Sequence, residues 1–174
     1  MREGWAHIHP LPGGPPVEAG ISQEEADYLQ EMARGKRVLE VGSAFGGSTI
    51  AMALHAAEVV AIDPHQAIPE SLPTLLANLR VFGVEDRVRV VAGSSHDQLP
   101  LLIQAGERFD LVYIDGDHAA AAVLQDAKEA PYLANLLIFH DYGSEPEVAP
   151  ILDQLFPAAI FGRELHGYLL TIRL

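Results

Sequence analysis

The sequence predicts one α/β domain built on a doubly wound, mostly parallel sheet, with helices on both faces and an antiparallel hairpin at its end. Three observations predict this. From Arg37 onward, short apolar runs alternate with helical segments. The runs are near-continuous in Val, Ile and Leu rather than alternating, as strands covered on both faces must be. The last two runs follow each other too closely for a crossover helix, so they must pair antiparallel. With 174 residues, 49% of them apolar, the chain can close a single core.

Residues 1–20 hold Pro10, Pro12, Pro15 and Pro16 among several glycines, which predicts an extended or irregular arm. The domain proper is expected over residues 21–174. Ser22 with Glu25 fits a capping box, and Leu29, Met32 and Ala33 recur at helical spacing, so a helix runs from about Ser22 to Arg34, with Gly35 placed to end it. Then come strand RVLEVG, helix STIAMALHAA, strand EVVAIDP and a helix from about Ile68 to Phe82. VRVVAGS, a short helix around Asp97 to Ile103, FDLVYIDG, the helix AAAVLQDAKEA and LLIFHDY continue the pattern, which implies five parallel strands. After a helix from about Pro146 to Phe156, AAIFGRELHG and YLLTIRL form the hairpin, turning at Gly167.

Bulk charge narrows the function. Eleven Lys and Arg against 24 Asp and Glu leave a net charge of -13, which repels phosphate backbones and anionic membranes, so nucleic acid is not an expected partner. No run approaches the ~18 apolar residues of a membrane span, and the opening residues lack a signal peptide's apolar stretch. With no cysteine there is no disulfide framework and no thiolate zinc site, and a cytoplasmic setting is the expectation.

The first strand runs into Glu40-Val41-Gly42-Ser43-Ala44-Phe45-Gly46-Gly47-Ser48-Thr49, a small-residue turn that opens a helix. Gly42 and Gly46 allow a bend and close approach to a cofactor, and Ser48 or Thr49 can cap the helix and offer a hydroxyl. Asp63, at the end of the second strand, is placed to accept both hydroxyl hydrogens of a ribose. Ala44 stands where a nicotinamide fingerprint needs its second glycine. Glu40 puts an anion beside the turn, which repels phosphates and suits a cofactor bearing ammonium and sulfonium charges. That balance of charge favours methyl transfer from S-adenosylmethionine, against two rival readings: a non-catalytic protein that binds the same cofactor, and an NAD-dependent oxidoreductase. An ordinary βα turn at Gly42 and a simple Asp63-Pro64 turn are the structural alternatives.

VLEVGSAFGGST, VVAIDP, VVAGSS, FDLVYIDGDH and LIFHDY together resemble the successive motifs of class I S-adenosylmethionine-dependent methyltransferases. More narrowly, they resemble small bacterial O-methyltransferases of the macrolide-sugar and catechol type. The resemblance spans Gly20 to Leu174 and implies a Rossmann-like seven-stranded sheet with a reversed last strand. It implies that Glu40, Gly42, Ser43 and Gly46 surround the methionine part of the cofactor, that Asp63 holds the ribose, and that Ser94 and Ser95 lie near the adenine. The chain departs from the family pattern at Ala44, at Ser94, where an acid is common, and at Asn135, where a glycine is common.

FDLVYIDGDH delivers Asp115, Asp117 and His118 to a strand's carboxyl end, and LIFHDY delivers His140 and Asp141. If those strands are neighbours, as the resemblance implies, three carboxylates and two imidazoles converge beside the sulfonium. The cluster has two explanations. A divalent ion such as magnesium would be held by Asp115 and Asp141, with His140 as a further ligand, although magnesium takes imidazole reluctantly. General base catalysis on a hydroxyl acceptor would fall to His118 or His140, with Asp115 beside them. The plainer reading makes His118 or Asp117 a helix cap and Asp141 a turn acid. Trp5, Tyr142 and Tyr132 are candidates to border a small-molecule methyl acceptor. His7 and His9 read as part of a surface tail, and a homodimer is conceivable through the hairpin edge or the arm.

Overall fold

The computed structural model describes residues 5–174. Met1 to Gly4, the start of the expected arm, lie outside the described residues. The rest of that arm holds two short extended strands joined by an irregular segment. β1 (Ala6–Ile8) and β2 (Val17–Ala19) pair antiparallel, with Ile8 opposite Val17, and Ile8, Val17 and Ala19 are buried. Each short strand places apolar residues either side of a polar one, so one face of the hairpin can bury while the Pro- and Gly-rich segment between them turns.

α1 (Gln23–Met32) starts on the expected capping box, with Ser22 and Glu25 bonding each other's backbone. The alternation then follows as read: β3 (Arg37–Val41), α2 (Gly47–Ala53), β4 (Glu58–Asp63), α3 (Ser71–Val81), β5 (Val88–Ala92), α4 (Ser95–Gln104), β6 (Leu111–Ile114), α5 (Ala120–Glu129), β7 (Leu136–Phe139), α6 (Val148–Leu155), β8 (Gly162–His166) and β9 (Leu169–Arg173). α4 begins earlier than the sequence suggests because Ser94 caps it, its hydroxyl accepting from Asp97 N at 3.2 Å.

The main sheet has the order β5-β4-β3-β6-β7-β9-β8. β5, β4, β3, β6 and β7 are parallel, and β9 lies antiparallel between β7 and β8. The chain winds outward from β3 to β5, then returns to β6 and winds the other way, so the strand order reverses between β3 and β6. Successive strand residues feed opposite faces. Val38, Val59, Leu111, Tyr113 and Ile138 pack with the β1–β2 hairpin, α1, α2 and α3. Leu39, Val60, Ile62, Val112 and Phe139 pack with α4, α5 and α6. Two cores on one sheet explain the nearly unbroken apolar strands.

Candidate functional site at the switch between β3 and β6

In open α/β sheets, ligands bind outside the carboxyl ends of the strands where the order reverses. Here that point lies between the turn after β3 and the loop after β6. Gly42 N donates to Ile62 O and Asp115 N to Val41 O, so the two loops leave the sheet tied to their neighbours. Gly42 has φ of 92°, and a side chain there would sit 1.8 Å from the Asp115 carbonyl oxygen. Its lack of a side chain is therefore demanded by the adjoining loop as well as by the turn. Among the described residues, three that are not glycine have positive φ: Ala44 (41°), His65 (54°) and Asp141 (58°). They follow β3, β4 and β7, all at this edge, and strained backbone of this kind tends to gather at functional sites.

Glu40 is the β3 residue that faces α2. It is fully buried and accepts from Ser48 Oγ and Thr49 Oγ1, both at 2.5 Å. Burial pushes its carboxyl up to about 8, so near pH 7 it is largely neutral and not the anion expected beside the turn. Ser48 and Thr49 thus point back at Glu40 and do not cap α2, whose cap is Gly46 in the left-handed region. Ser43 Oγ is buried and has no hydrogen-bond partner.

Asp63 ties two loops together. Its Oδ2 accepts from Ala44 N at 2.8 Å and its Oδ1 from His65 N at 2.6 Å. Ser94 spends its hydroxyl on the α4 cap and on Asp97 Oδ2, at 2.7 Å. Ser95 lies beside the buried Asp126 of α5, whose carboxyl burial raises to about 6.

Of the three acids and two imidazoles expected from two separate strands, Asp115, Asp141, His118 and His140 meet, because β6 and β7 are neighbours, while Asp117 is spent on its own loop. His140 Nδ1 lies 3.0 Å from Asp141 Oδ2 and 3.3 Å from Asp115 Oδ1, while Tyr113 donates its hydroxyl to Asp115 Oδ2 at 2.9 Å. His118 Nε2 lies 2.9 Å from the same Asp141 oxygen, at a more exposed rim. Burial opposes a charge on His140, but Asp115, Asp141 and Glu25 outweigh it and push the imidazole up to about 12. Asp141 gives the mirror image: burial would raise it, yet the two histidines hold it well below the ordinary carboxylate range. The Asp141 carboxylate beside His118 raises that imidazole as well. Asp117 Oδ1 accepts from Ala119 N at 2.9 Å, a turn bond and not the helix cap weighed for it or for His118, because Ala119 itself caps α5 without a side-chain bond.

Asp115, His140 and Asp141 each offer a ligand atom within 4.8 Å of the others. Neither His140 nitrogen meets a hydrogen bond of good geometry although both are buried. The set therefore fits a divalent ion that displaces the imidazole proton, the carboxylates suiting hard cations and the imidazole a transition metal.

Glu25 is the residue that sequence reasoning missed here. It was assigned only to the capping box, yet its Oε2 lies 3.6 Å from His140 Nε2. The signal that would have found it, a helix-capping acid buried against a strand end more than a hundred residues later in the chain, exists only in three dimensions. Among the aromatic candidates, Trp5 meets Phe45 edge-on at 5.4 Å, and Tyr142 donates its hydroxyl to Asp153 at 2.8 Å. Tyr132 precedes β7, at the opposite edge of the sheet, and cannot border this site. His7 and His9 belong to the docked hairpin region and not to a loose tail: His9 N donates to Gln23 Oε1 at 2.7 Å, and His7 lines a depression of about 400 Å³ with Phe45 and Asn78.

Residues 39–142 match a family described as a methyltransferase domain. Among solved structures, the chain is similar to an O-methyltransferase from Bacillus cereus in complex with SAH, at 20% identity and a TM-score of 0.71, covering 88% of this chain and 82% of that one. It is also similar to cofactor-bound Rv0187 from MTB, at 25% identity and a TM-score of 0.70, covering 88% and 81%. A third is the O-methyltransferase TomG from Streptomyces achromogenes, involved in tomaymycin synthesis and solved with SAM, at 18% identity and a TM-score of 0.69, covering 88% and 80%. No curated protein sequence matches the chain significantly. The matched stretch runs from within β3 to just past Asp141, so the family's span takes in the glycine turn, Asp63 and the whole acid–imidazole cluster; the chain belongs to the methyltransferase-domain family, with the Rossmann-like fold of S-adenosylmethionine-dependent enzymes.

Proposed function

We propose that this protein transfers the methyl group of S-adenosylmethionine to a hydroxyl oxygen of a small molecule. The observation that carries the reading is the meeting, at one switch point, of a glycine turn tied to Asp63 with the Asp115–His140–Asp141 cluster. Glu40, Gly42, Ser43, Gly46 and Ser48 shape the wall for the methionine part, Ser43 with its free hydroxyl making the direct contact. Asp63 takes the ribose hydroxyls. Ser95 and the main chain at Ser94 border the adenine. When bound, the cofactor supplies the methyl carbon, which the acceptor oxygen takes as the carbon–sulfur bond breaks.

The protein aligns acceptor and methyl and removes the hydroxyl proton. Asp115 and Asp141, with His140 between them, form a net negative wall that attracts a cationic cofactor. His118, on the open rim, is the group that receives the proton, with Asp141 behind it. A divalent ion, where used, would be held by Asp115, Asp141 and His140 and would lower the pKa of the acceptor hydroxyl. A cytoplasmic setting and a homodimer belong to the same proposal, and sedimentation tests the latter.

Thermal unfolding with S-adenosylhomocysteine, NAD and magnesium added separately tests the reading. At 100 times its dissociation constant the first should stabilise by about 2.7 kcal/mol and NAD should do nothing. Failure of S-adenosylhomocysteine to shift the transition or give heat in calorimetry sinks it. Transfer of radiolabelled methyl groups then separates the enzyme from a mere binder of the cofactor.

A further inference from the structure

We infer that Glu25 is a positioning residue of this site: its carboxylate holds the Nε2 edge of His140, so that the Nδ1 edge is presented between Asp115 and Asp141. The inference rests on the methyl-transfer reading for its consequence in catalysis, but not for its geometry.

A capping box asks only that the acid three residues into a helix reach back to the cap. Glu25 does this, its Oε2 accepting from Ser22 N and Ser22 Oγ, both at 2.9 Å. It then does more. Oε1 accepts from Tyr168 N at 2.8 Å, in the turn between β8 and β9, and Oε2 faces His140 Nε2. Ordinary capping acids sit at solvated helix ends, whereas this one is buried. A buried carboxylate is costly unless its partners compensate, and these partners come from three separate segments. Burial alone would raise Glu25, but His140 and the N–H groups of Ser22 and Tyr168 hold it at about 2.

The β8–β9 turn is shaped to receive this carboxylate. Gly167 has φ of 60°, and a side chain there would lie 2.8 Å from Glu25 Oε1. On the other edge of the ring, Asp141 and Asp115 stand 3.0 and 3.3 Å from Nδ1. Held by acids at both edges, the ring has one orientation in which each nitrogen faces a carboxylate. Nδ1 is then the edge turned toward Asp115 and Asp141. α1 and the terminal hairpin are thereby coupled to the His140 ring.

Glu25→Asp keeps the charge but withdraws it by one methylene, while Ser22→Ala breaks the capping box and leaves Glu25 opposite His140. Histidine ring ¹⁵N spectra, with His140 assigned through His140→Asn, are read beside S-adenosylhomocysteine affinity and steady-state kinetics. Glu25→Asp should move the His140 signals and lower kcat on the order of ten- to a hundredfold, as small misplacements of reacting groups do, with cofactor affinity kept. Ser22→Ala should lower the melting temperature and leave ring signals and kcat in place. Gly167→Ala, which presses a methyl against the carboxylate, gives a second reading should Glu25→Asp fail to fold. Unmoved ring signals in Glu25→Asp, or equal movement in Ser22→Ala, overturn the assignment. If the wild type binds no S-adenosylhomocysteine, the functional reading fails while the ring signals still decide the role of Glu25.

Discussion

Asp63 accepts two backbone N–H groups, from Ala44 and His65, so its carboxylate is oriented before any ligand arrives. Asp63→Asn leaves one acceptor oxygen and no charge. Charged hydrogen bonds contribute about 1.5–3 kcal/mol, so S-adenosylhomocysteine affinity in this variant should fall about ten- to a hundredfold by calorimetry; an unchanged affinity would remove Asp63 from the binding site. Glu40 makes a different prediction. Burial lifts its carboxyl from 4.5 to about 8, so folding favours the protonated form. That contribution is complete below pH 4.5 and is lost as pH rises through 8, at about 1.4 kcal/mol per unit. Relative to Glu40→Gln, which has no such group, the wild type should therefore lose several kcal/mol between pH 5 and 8 in urea unfolding. Parallel pH profiles for the two proteins would show that Glu40 is ionised throughout. Both residues were legible as site candidates from the turn and the strand end alone. That Glu40 would be buried behind two hydroxyls, and largely neutral, was not, because its exposure depends on how α2 packs.

Elements with strong local signals were read almost to the residue, and the weaker ones were not. The capping box set the start of α1, and glycines in the left-handed region stand at Gly35 and Gly167 where the helix and hairpin were expected to turn. The β1–β2 hairpin escaped because strands of three residues carry no period long enough to see and its prolines argue for loop. It is held by tertiary contact: a side chain at Gly47 would come within 2.4 Å of Ala19 Cβ. Gly47→Ala should therefore lift the hairpin from α2, at about 1–3 kcal/mol as overpacking usually costs. Faster proteolysis in the segment 10–16 would report it, and an unchanged cleavage rate would count against this packing.

At the scale of the molecule, the net charge of -13 is spread over a chain of 174 residues. Like charges repel in the compact state and salt screens them. Raising sodium chloride from 0.1 M toward 1 M should accordingly raise the melting temperature, and a flat response would mean that local pairs such as Arg37 with Glu58 and Glu107 already balance the field. Among the described residues no helix is long and apolar enough to cross a membrane.

The sequence by itself determined the α/β alternation, the closing hairpin, the glycine turn and the acids at the strand ends. All of these are written in periodicity, capping and turn chemistry, which act over a few residues. Tertiary structure alone decided that β3 and β6 are neighbours, that β6 and β7 bring Asp115 beside His140, and that Glu25 reaches both His140 and Tyr168. The last of these contacts spans 143 positions. Parallel strands are paired through crossovers, and no local residue pattern encodes which strand lies beside which; only the packing of two cores on one sheet does so.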